Sequence, residues 1–202
     1  MNMKKILLVF AINIALTFGF RAQAQEYVDL GLSVNWATYN VGANSIEEIG
    51  DTFVPGVMKP FISGMNMEAY CIPYQNKQSG NPDYDVATAR WGRGWRTPTQ
   101  QEWEELIRRC KWKRSKIILN NGVKIKGYEV RGRNGNSIFL HDHRFSNGVS
   151  AIIYYMADTH IHTYLFDKGG LVGAGIMTSK QGPKAVEYWR GVSVRPVIDK
   201  TN

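Results

Sequence analysis

The strongest periodic signal in the chain is Trp103, Leu106, Ile107 and Cys110, which stand at i, i+3, i+4 and i+7 and so share one face of an α-helix. The residues just before them supply a start. Thr99 with Glu102 fits a capping box, and Thr97-Pro98 with Gln100 fits a second register two residues earlier; either one offers acceptors to the unpaired amides of a first turn. Glu102, Glu104 and Glu105 fall in the early turns and Arg108, Arg109 and Lys111 in the last, the distribution a helix dipole favours. The spacing predicts a helix over residues 98–110.

Elsewhere the pattern is strand and turn. Tyr27–Leu30, Val34–Ala37, Tyr128–Val130, Ser137–Leu140, Ala151–Tyr155 and Gly191–Arg195 are short runs rich in β-branched or aromatic residues. They are punctuated by the turn formers Asn120-Asn121-Gly122, Asn134-Gly135-Asn136 and Ser146-Asn147-Gly148. Residues 55–95, with Pro55, Pro60, Pro73 and Pro82, read as long loops. Neither a tandem repeat nor a low-complexity linker divides the chain, and this order of elements predicts one α+β domain over residues 25–202.

The first 24 residues stand apart. Lys4 and Lys5 precede an apolar run from Ile6 to Phe20, and Ala22-Gln23-Ala24 ends it in a small-x-small pattern. This is the layout of a signal peptide cleaved after Ala24. The run is interrupted by Asn13 and Thr17 and falls short of the roughly 20 residues that span a bilayer. No cysteine lies near the cleavage point, which excludes a lipoprotein anchor. The expected location is therefore exported: periplasm, cell surface or extracellular space, with no transmembrane segment after cleavage.

Composition refines this picture. The 202 residues are 44% hydrophobic, with six Trp, ten Tyr and eight Phe, too apolar for a disordered chain. The formal charge of +8 becomes +5 in the processed chain, because residues 1–24 hold Lys4, Lys5 and Arg21 and no acid, leaving 22 basic and 17 acidic residues. Two cysteines exclude a disulfide-stapled miniprotein or a four-cysteine zinc module, while export would permit one disulfide.

The stretches Tyr27–Ala43, Gly50–Phe53, Trp91–Leu106, Gly127-Tyr128 with Gly135–Leu140, and Gly191–Val197 resemble, in that order, the Fibrobacter-type major paralogous domain (FISUMP) of exported Bacteroidota proteins. Arg96–Glu104 is also similar to the Arg-Leu-Pro-Thr-x-x-Glu-Trp-Glu signature of formylglycine-generating enzymes, and Gly191–Arg195 to their closing strand. The resemblance implies a C-type-lectin-like fold in which N- and C-terminal strands pair and long loops are displayed on one side. The chain departs from the family in two places. Tyr154-Tyr155 is followed by Met156-Ala157-Asp158-Thr159 rather than a Trp-Ser-Ser-Ser-like stretch, and Val54–Val57 replaces an aromatic-rich run. Members often carry a cysteine where this chain has Tyr39, partnering the one that matches Cys110. Two readings stay open: Cys71 is the substitute partner, or Cys110 is a buried free thiol. Closing the Cys71–Cys110 loop would stabilise by about 4 kcal/mol in the chain-entropy model.

Few residues suggest catalysis. Formylglycine generators use a late cysteine pair, and nothing after Cys110 offers one. The chain contains no Gly-x-Ser-x-Gly elbow, and the glycines from Gly169 to Gly175 lack the Lys-Ser/Thr ending of a phosphate-binding loop, so they read as a loop or a glycine-bent strand. All four histidines lie in His141-Asp142-His143 and His160-Ile161-His162. On a strand each unit would put two imidazoles on one face for a divalent metal such as zinc; the plainer reading is two polar strand ends or loops. Basic residues crowd Arg108, Arg109, Lys111, Lys113, Arg114 and Lys116, with Trp112 among them. That is a candidate patch for a polyanion, against the plainer reading of a solvated helix end and a charged edge strand. Trp36, Trp91, Trp95, Trp103 and Trp189 read as core rather than as sugar platforms.

The expectation that emerges is an exported, non-catalytic binding or adhesion domain whose ligand is a glycan, polyanion or surface protein, with no nucleic acid expected. The competing readings are a formylglycine-generator-like or metal-dependent enzyme and a structural envelope component.

Overall fold

The computed structural model describes residues 26–53, 57–62, 79–144, 150–152, 172–176, 183–187 and 192–201. In chain order, β1 (Tyr27–Val28), β2 (Val34–Ala37) and β3 (Thr52–Phe53) precede helix α1 (Val86–Trp91), and β4 (Trp95–Arg96) leads into helix α2 (Gln100–Arg109). Then come β5 (Lys111–Ile118), β6 (Lys124–Arg131), β7 (Ser137–His141), β8 (His143–Arg144), β9 (Ser150–Ile152), β10 (Val172–Ile176), β11 (Pro183–Glu187), β12 (Val192–Ser193) and β13 (Val197–Asp199). The pairings are antiparallel and form sheets ordered β1-β2-β13-β4 and β5-β6-β7, with two-stranded pairs β3–β12, β8–β9 and β10–β11. The protein is a mixed α+β structure of mostly antiparallel sheets and few helices. The signal-peptide segment, Cys71, His160, His162, Trp189 and the turn at Ser146–Gly148 lie outside the described residues.

The predicted helix forms as α2, and the Thr99 register wins. Thr99 Oγ1 accepts from the Glu102 amide at 3.3 Å while the Glu102 carboxylate accepts from the Thr99 amide at 2.8 Å, satisfying two first-turn donors at once. Arg96 clamps that carboxylate from outside with two hydrogen bonds of 2.8 and 2.6 Å and reaches Asp199 of β13 at 2.6 Å. The cap therefore also fixes where the helix meets the last strand. On the opposite side Glu105 accepts from the Ser33 amide and hydroxyl at 3.0 and 2.6 Å, tying α2 to the start of β2. Burial alone would raise the Glu105 carboxyl, but the Ser33 and Arg109 hydrogen bonds hold it below the usual carboxylate range.

The apolar face of α2 fills the main core. Trp103 and Leu106 join Leu30, Leu32, Val34 and Trp36 around β2, Val130, Ile138 and Leu140 from β6 and β7, and Val197 from β13. Trp36 and Trp103 meet edge to face with centroids 4.6 Å apart, a geometry the aromatic quadrupole favours. A second cluster gathers Val41, Phe53, Val86, Ala87, Val192 and Val194. Trp36, Trp95 and Trp103 are buried and Trp91 packs partly against the second cluster, as expected of core tryptophans.

Two expectations need correction. Residues 55–95 are not loop throughout, because α1 forms at Val86–Trp91. Its N-cap Asp85 is buried and accepts from the amides of Gly80, Ala87 and Thr97 and from the Thr97 hydroxyl, at 2.7 to 3.0 Å. The helix is short, and its cap is held by Gly80 before it and Thr97 beyond its far end, so local periodicity carries little of the signal. N- and C-terminal strands do pair, but through β2 and β13 rather than through β1 and the 191–195 run. β13 lies between β2 and β4, and β1 pairs with β2. The run expected to close the domain, Gly191–Arg195, instead contributes β12 to a pair with β3. Val194, Arg195 and Pro196 separate β12 from β13, and the Pro196 carbonyl accepts from the Ala37 amide at 2.9 Å.

Between β12 and β13 lies Arg195, fully buried. It donates from Nε to Asn40 Oδ1 at 2.7 Å, from one terminal nitrogen to the Ala37 and Thr38 carbonyls at 3.0 and 2.6 Å, and from the other to the Phe139 carbonyl at 2.8 Å. Replacing it by Met leaves these oxygens buried without their donor, and each such loss costs about 1–3 kcal/mol. Arg195→Met is expected to lose at least about 3 kcal/mol of unfolding free energy in a urea titration; a loss near zero would mean the network carries no stability.

Candidate functional site

The chain passes from α2 into β5 without a loop, since Cys110 caps the helix in an extended conformation (φ −100°, ψ 156°). The basic run is therefore divided by secondary structure. Arg108 and Arg109 end the helix, and Lys111 to Lys116 alternate along an edge strand. Trp112, Arg114 and Lys116 share one face and Lys111 and Lys113 the other.

Two of the six charges serve the protein itself. Arg109 pairs with Glu105 at 2.9 Å one turn back. Arg114 makes a two-pronged ion pair with the buried Asp142 and lies over the Tyr128 ring, 4.9 Å from its centroid. Tyr128 in turn meets Trp112 edge on, centroids 6.0 Å apart, and the Trp112 indole N–H donates to the Leu106 carbonyl at 3.4 Å. Trp112 is thus half-buried against the core.

What the strand loses on one side the hairpin returns on the other. The β5–β6 register places Arg114 opposite Tyr128, Lys116 opposite Lys126 and Ile118 opposite Lys124. One exposed face accordingly carries Arg114, Lys116, Lys124 and Lys126. Lys124 and Lys126 were absent from the patch read along the sequence. The signal that would have found them is Asn120-Asn121-Gly122, a turn about which residues summing to a constant position face each other. Gly122 sits there at φ +80°, a conformation that favours glycine. Further along, Gly127 pairs with His141 and lies where any Cβ would strike the Leu140 carbonyl and the Phe139 ring, at 2.1 and 2.7 Å.

The hairpin also dominates the charge balance. Residues 108–133 hold ten basic side chains and one acid, Glu129. The other 176 residues hold fifteen basic and sixteen acidic, so this segment carries +9 and the rest of the chain −1, which together make the net +8. Among the described residues, Lys116, Lys124 and Lys126 form no ion pair.

Of the candidate metal ligands, His141 is buried with Nε2 2.8 Å from the Ile46 carbonyl and its ring edge on to Phe139 at 5.2 Å. His143 lies in β8, its side chain outside the described residues along with His160 and His162. Among the described residues no group of three or more His, Cys, Asp or Glu side chains is assembled to hold a metal. Cys110 is a half-buried free thiol, its pKa pushed up to about 11, chiefly by burial; Cys71, weighed as its partner, lies outside the described residues. Gly173 and Gly175 fall within β10, a strand paired with β11 rather than a loop. No helix among the described residues is long and apolar enough to cross a membrane. Comparison with family models, curated proteins and solved structures finds no match for the chain.

Burial pushes the His141 imidazole down to about 4, and the charge of Arg195 adds to the effect; the Ile46 carbonyl, Asp142 and Glu47 oppose it. The folded pKa lies below the unfolded value of about 6.5, so the unfolded chain takes up the proton first. The stability held above pH about 6.5 is lost as pH falls through about 4. Urea midpoints measured across this window should decline for the native chain and decline less for His141→Gln; equal slopes would remove His141 as the cause.

Proposed function

We propose that this protein is an exported, non-catalytic binding or adhesion domain of the FISUMP kind, with a C-type-lectin-like architecture, acting at the cell envelope or surface on an anionic ligand. The observation that carries this reading is the charge of the β5–β6 hairpin together with the residues that flank it. Ten basic side chains against one acid in residues 108–133 create a local positive field that attracts polyanions and raises their encounter rate. Among the described residues the lysines of its exposed face form no ion pair, whereas Arg114 pairs with Asp142. Fold kinship would not supply the ligand by itself; the charge does.

The residues that resemble the formylglycine-generator signature have structural work that accounts for them. Arg96, Thr99 and Glu102 form the helix lock, and Thr97 donates to Asp85. That supports a non-catalytic reading. The apolar and aromatic signature residue Trp103 belongs to the core, so its presence follows from packing.

Retention of the full chain on heparin resin tests the reading. Native protein should require salt well above about 0.15 M for elution, where screening shortens the reach of surface charge below about 8 Å. The variant Lys116→Gln/Lys124→Gln/Lys126→Gln should elute clearly earlier. Native protein that washes off at low salt, together with silence on an array of host and bacterial glycans, would overturn the assignment.

A further inference from the structure

The hairpin outruns the sheet it belongs to. Among the described residues β7 pairs only with Gly127–Arg131 of β6, and the last backbone hydrogen bond from that side runs from the Asp142 amide to the Lys126 carbonyl at 2.9 Å. Beyond it Lys116–Ile118 and Lys124–Lys126 continue as a two-stranded ribbon, closed by the Leu119–Val123 turn with hydrogen bonds of 2.8 and 2.9 Å. With about 3.4 Å per residue, the tip stands roughly 20 Å from Val130 in the core.

The ribbon has a composition that water does not favour. Ile118 is 59% and Val123 51% exposed, two of five large hydrophobic side chains so exposed among the described residues. Just behind them stand Lys116, Lys124 and Lys126, also exposed. Lys116 directly faces Lys126, and like charges opposed across a strand pair destabilise it. An aliphatic tip backed by unpaired lysines becomes favourable where negative charge and an apolar interior lie a few ångströms apart.

We propose that the tip of the β5–β6 hairpin docks on an anionic phospholipid surface. Ile118 and Val123 enter the boundary between headgroups and acyl chains, and Lys116, Lys124 and Lys126 face lipid phosphates. The tip meets the surface end on, so that Ile118 and Val123 reach it together although they lie on opposite faces of the ribbon. The lysine stems lie along apolar surface while their ammonium groups stay at phosphate level. A sulfated polysaccharide would satisfy the lysines but leave the aliphatic side chains in water; a lipid surface satisfies both. The inference rests on the anion-binding reading above and names its ligand. Association of this kind is reversible and salt-sensitive, since it relies on a small apolar tip and a few charges.

Co-sedimentation of the full chain with vesicles tests it. Native protein should bind phosphatidylcholine vesicles containing about one quarter phosphatidylglycerol at low salt and should not bind phosphatidylcholine alone. Replacing the three lysines by Gln should weaken partitioning on the order of 100-fold, about five-fold for each charge. Ile118→Ser/Val123→Ser should weaken vesicle binding by about ten-fold or more while its heparin elution stays native, which also reports that it is folded. If native protein is held by heparin yet ignores the anionic vesicles, or if the Ser variant binds them as well as native, lipid docking is overturned and the anion-binding reading stands. Loss of both heparin and vesicle binding in the native chain removes both.

Discussion

A single buried guanidinium organises the fold. Arg195 is fully enclosed and donates to Asn40, Ala37, Thr38 and Phe139, segments more than 50 residues away from it along the chain. Burying an arginine is costly, and the cost is offset only when its fixed fork of donors finds acceptors in the right directions. The carbonyls at the end of β2 and the carbonyl within β7 must therefore converge on one point. That convergence brings the sheet holding β2 and β13 against the sheet holding β7, with α2 filling the gap through Trp103 and Leu106. It also explains why His141, two residues after Phe139, is enclosed beside a positive charge.

Charged residues divide into two groups by what surrounds them. Asp85, Glu102, Glu105 and Asp142 each accept several hydrogen bonds; Glu105 and Asp142 tie segments distant in sequence, Asp85 reaches Thr97 across α1, and Glu102 holds the Arg96 that in turn reaches Asp199. Such groups work as joints: removing one partner leaves the other desolvated and unpaired. Arg96 and Arg114 are their counterparts, the first locking the helix start to β13 and the second locking edge strand β5 to the residue after β7. The second group is Lys116, Lys124 and Lys126 of the β5–β6 ribbon, which form no ion pair among the described residues. They are free to meet something outside the protein, and the function proposed here depends on that separation.

The edge position of β5 connects both themes. An exposed edge strand invites pairing with another chain, and lysines along it discourage that. This accounts for charge on the edge but not for Lys124 and Lys126 on the neighbouring strand, nor for the exposed Ile118 and Val123. A strand protected only against aggregation would not place aliphatic side chains at its tip. The distribution fits a surface for which charge and an apolar end are both useful.

Legibility from sequence followed the range of the interactions. Helix α2, its Thr99 cap, the two asparagine-glycine turns and the short strands at 34–37 and 137–140 were readable because each depends on residues within a few positions of one another. The nine-residue basic run was equally visible, as was the buried character of Trp36 and Trp103. Helix α1 escaped because its cap draws on Gly80 and Thr97, and the place of β13 between β2 and β4 escaped because strand order in a sheet leaves no local trace. The same holds for the face itself. The sequence alone determined that positive charge is concentrated after α2; only the tertiary pairing decided which charges are spent. Register sets Lys116 against Lys126 and delivers Arg114 to Asp142, and register is a property of two strands that neither one encodes alone.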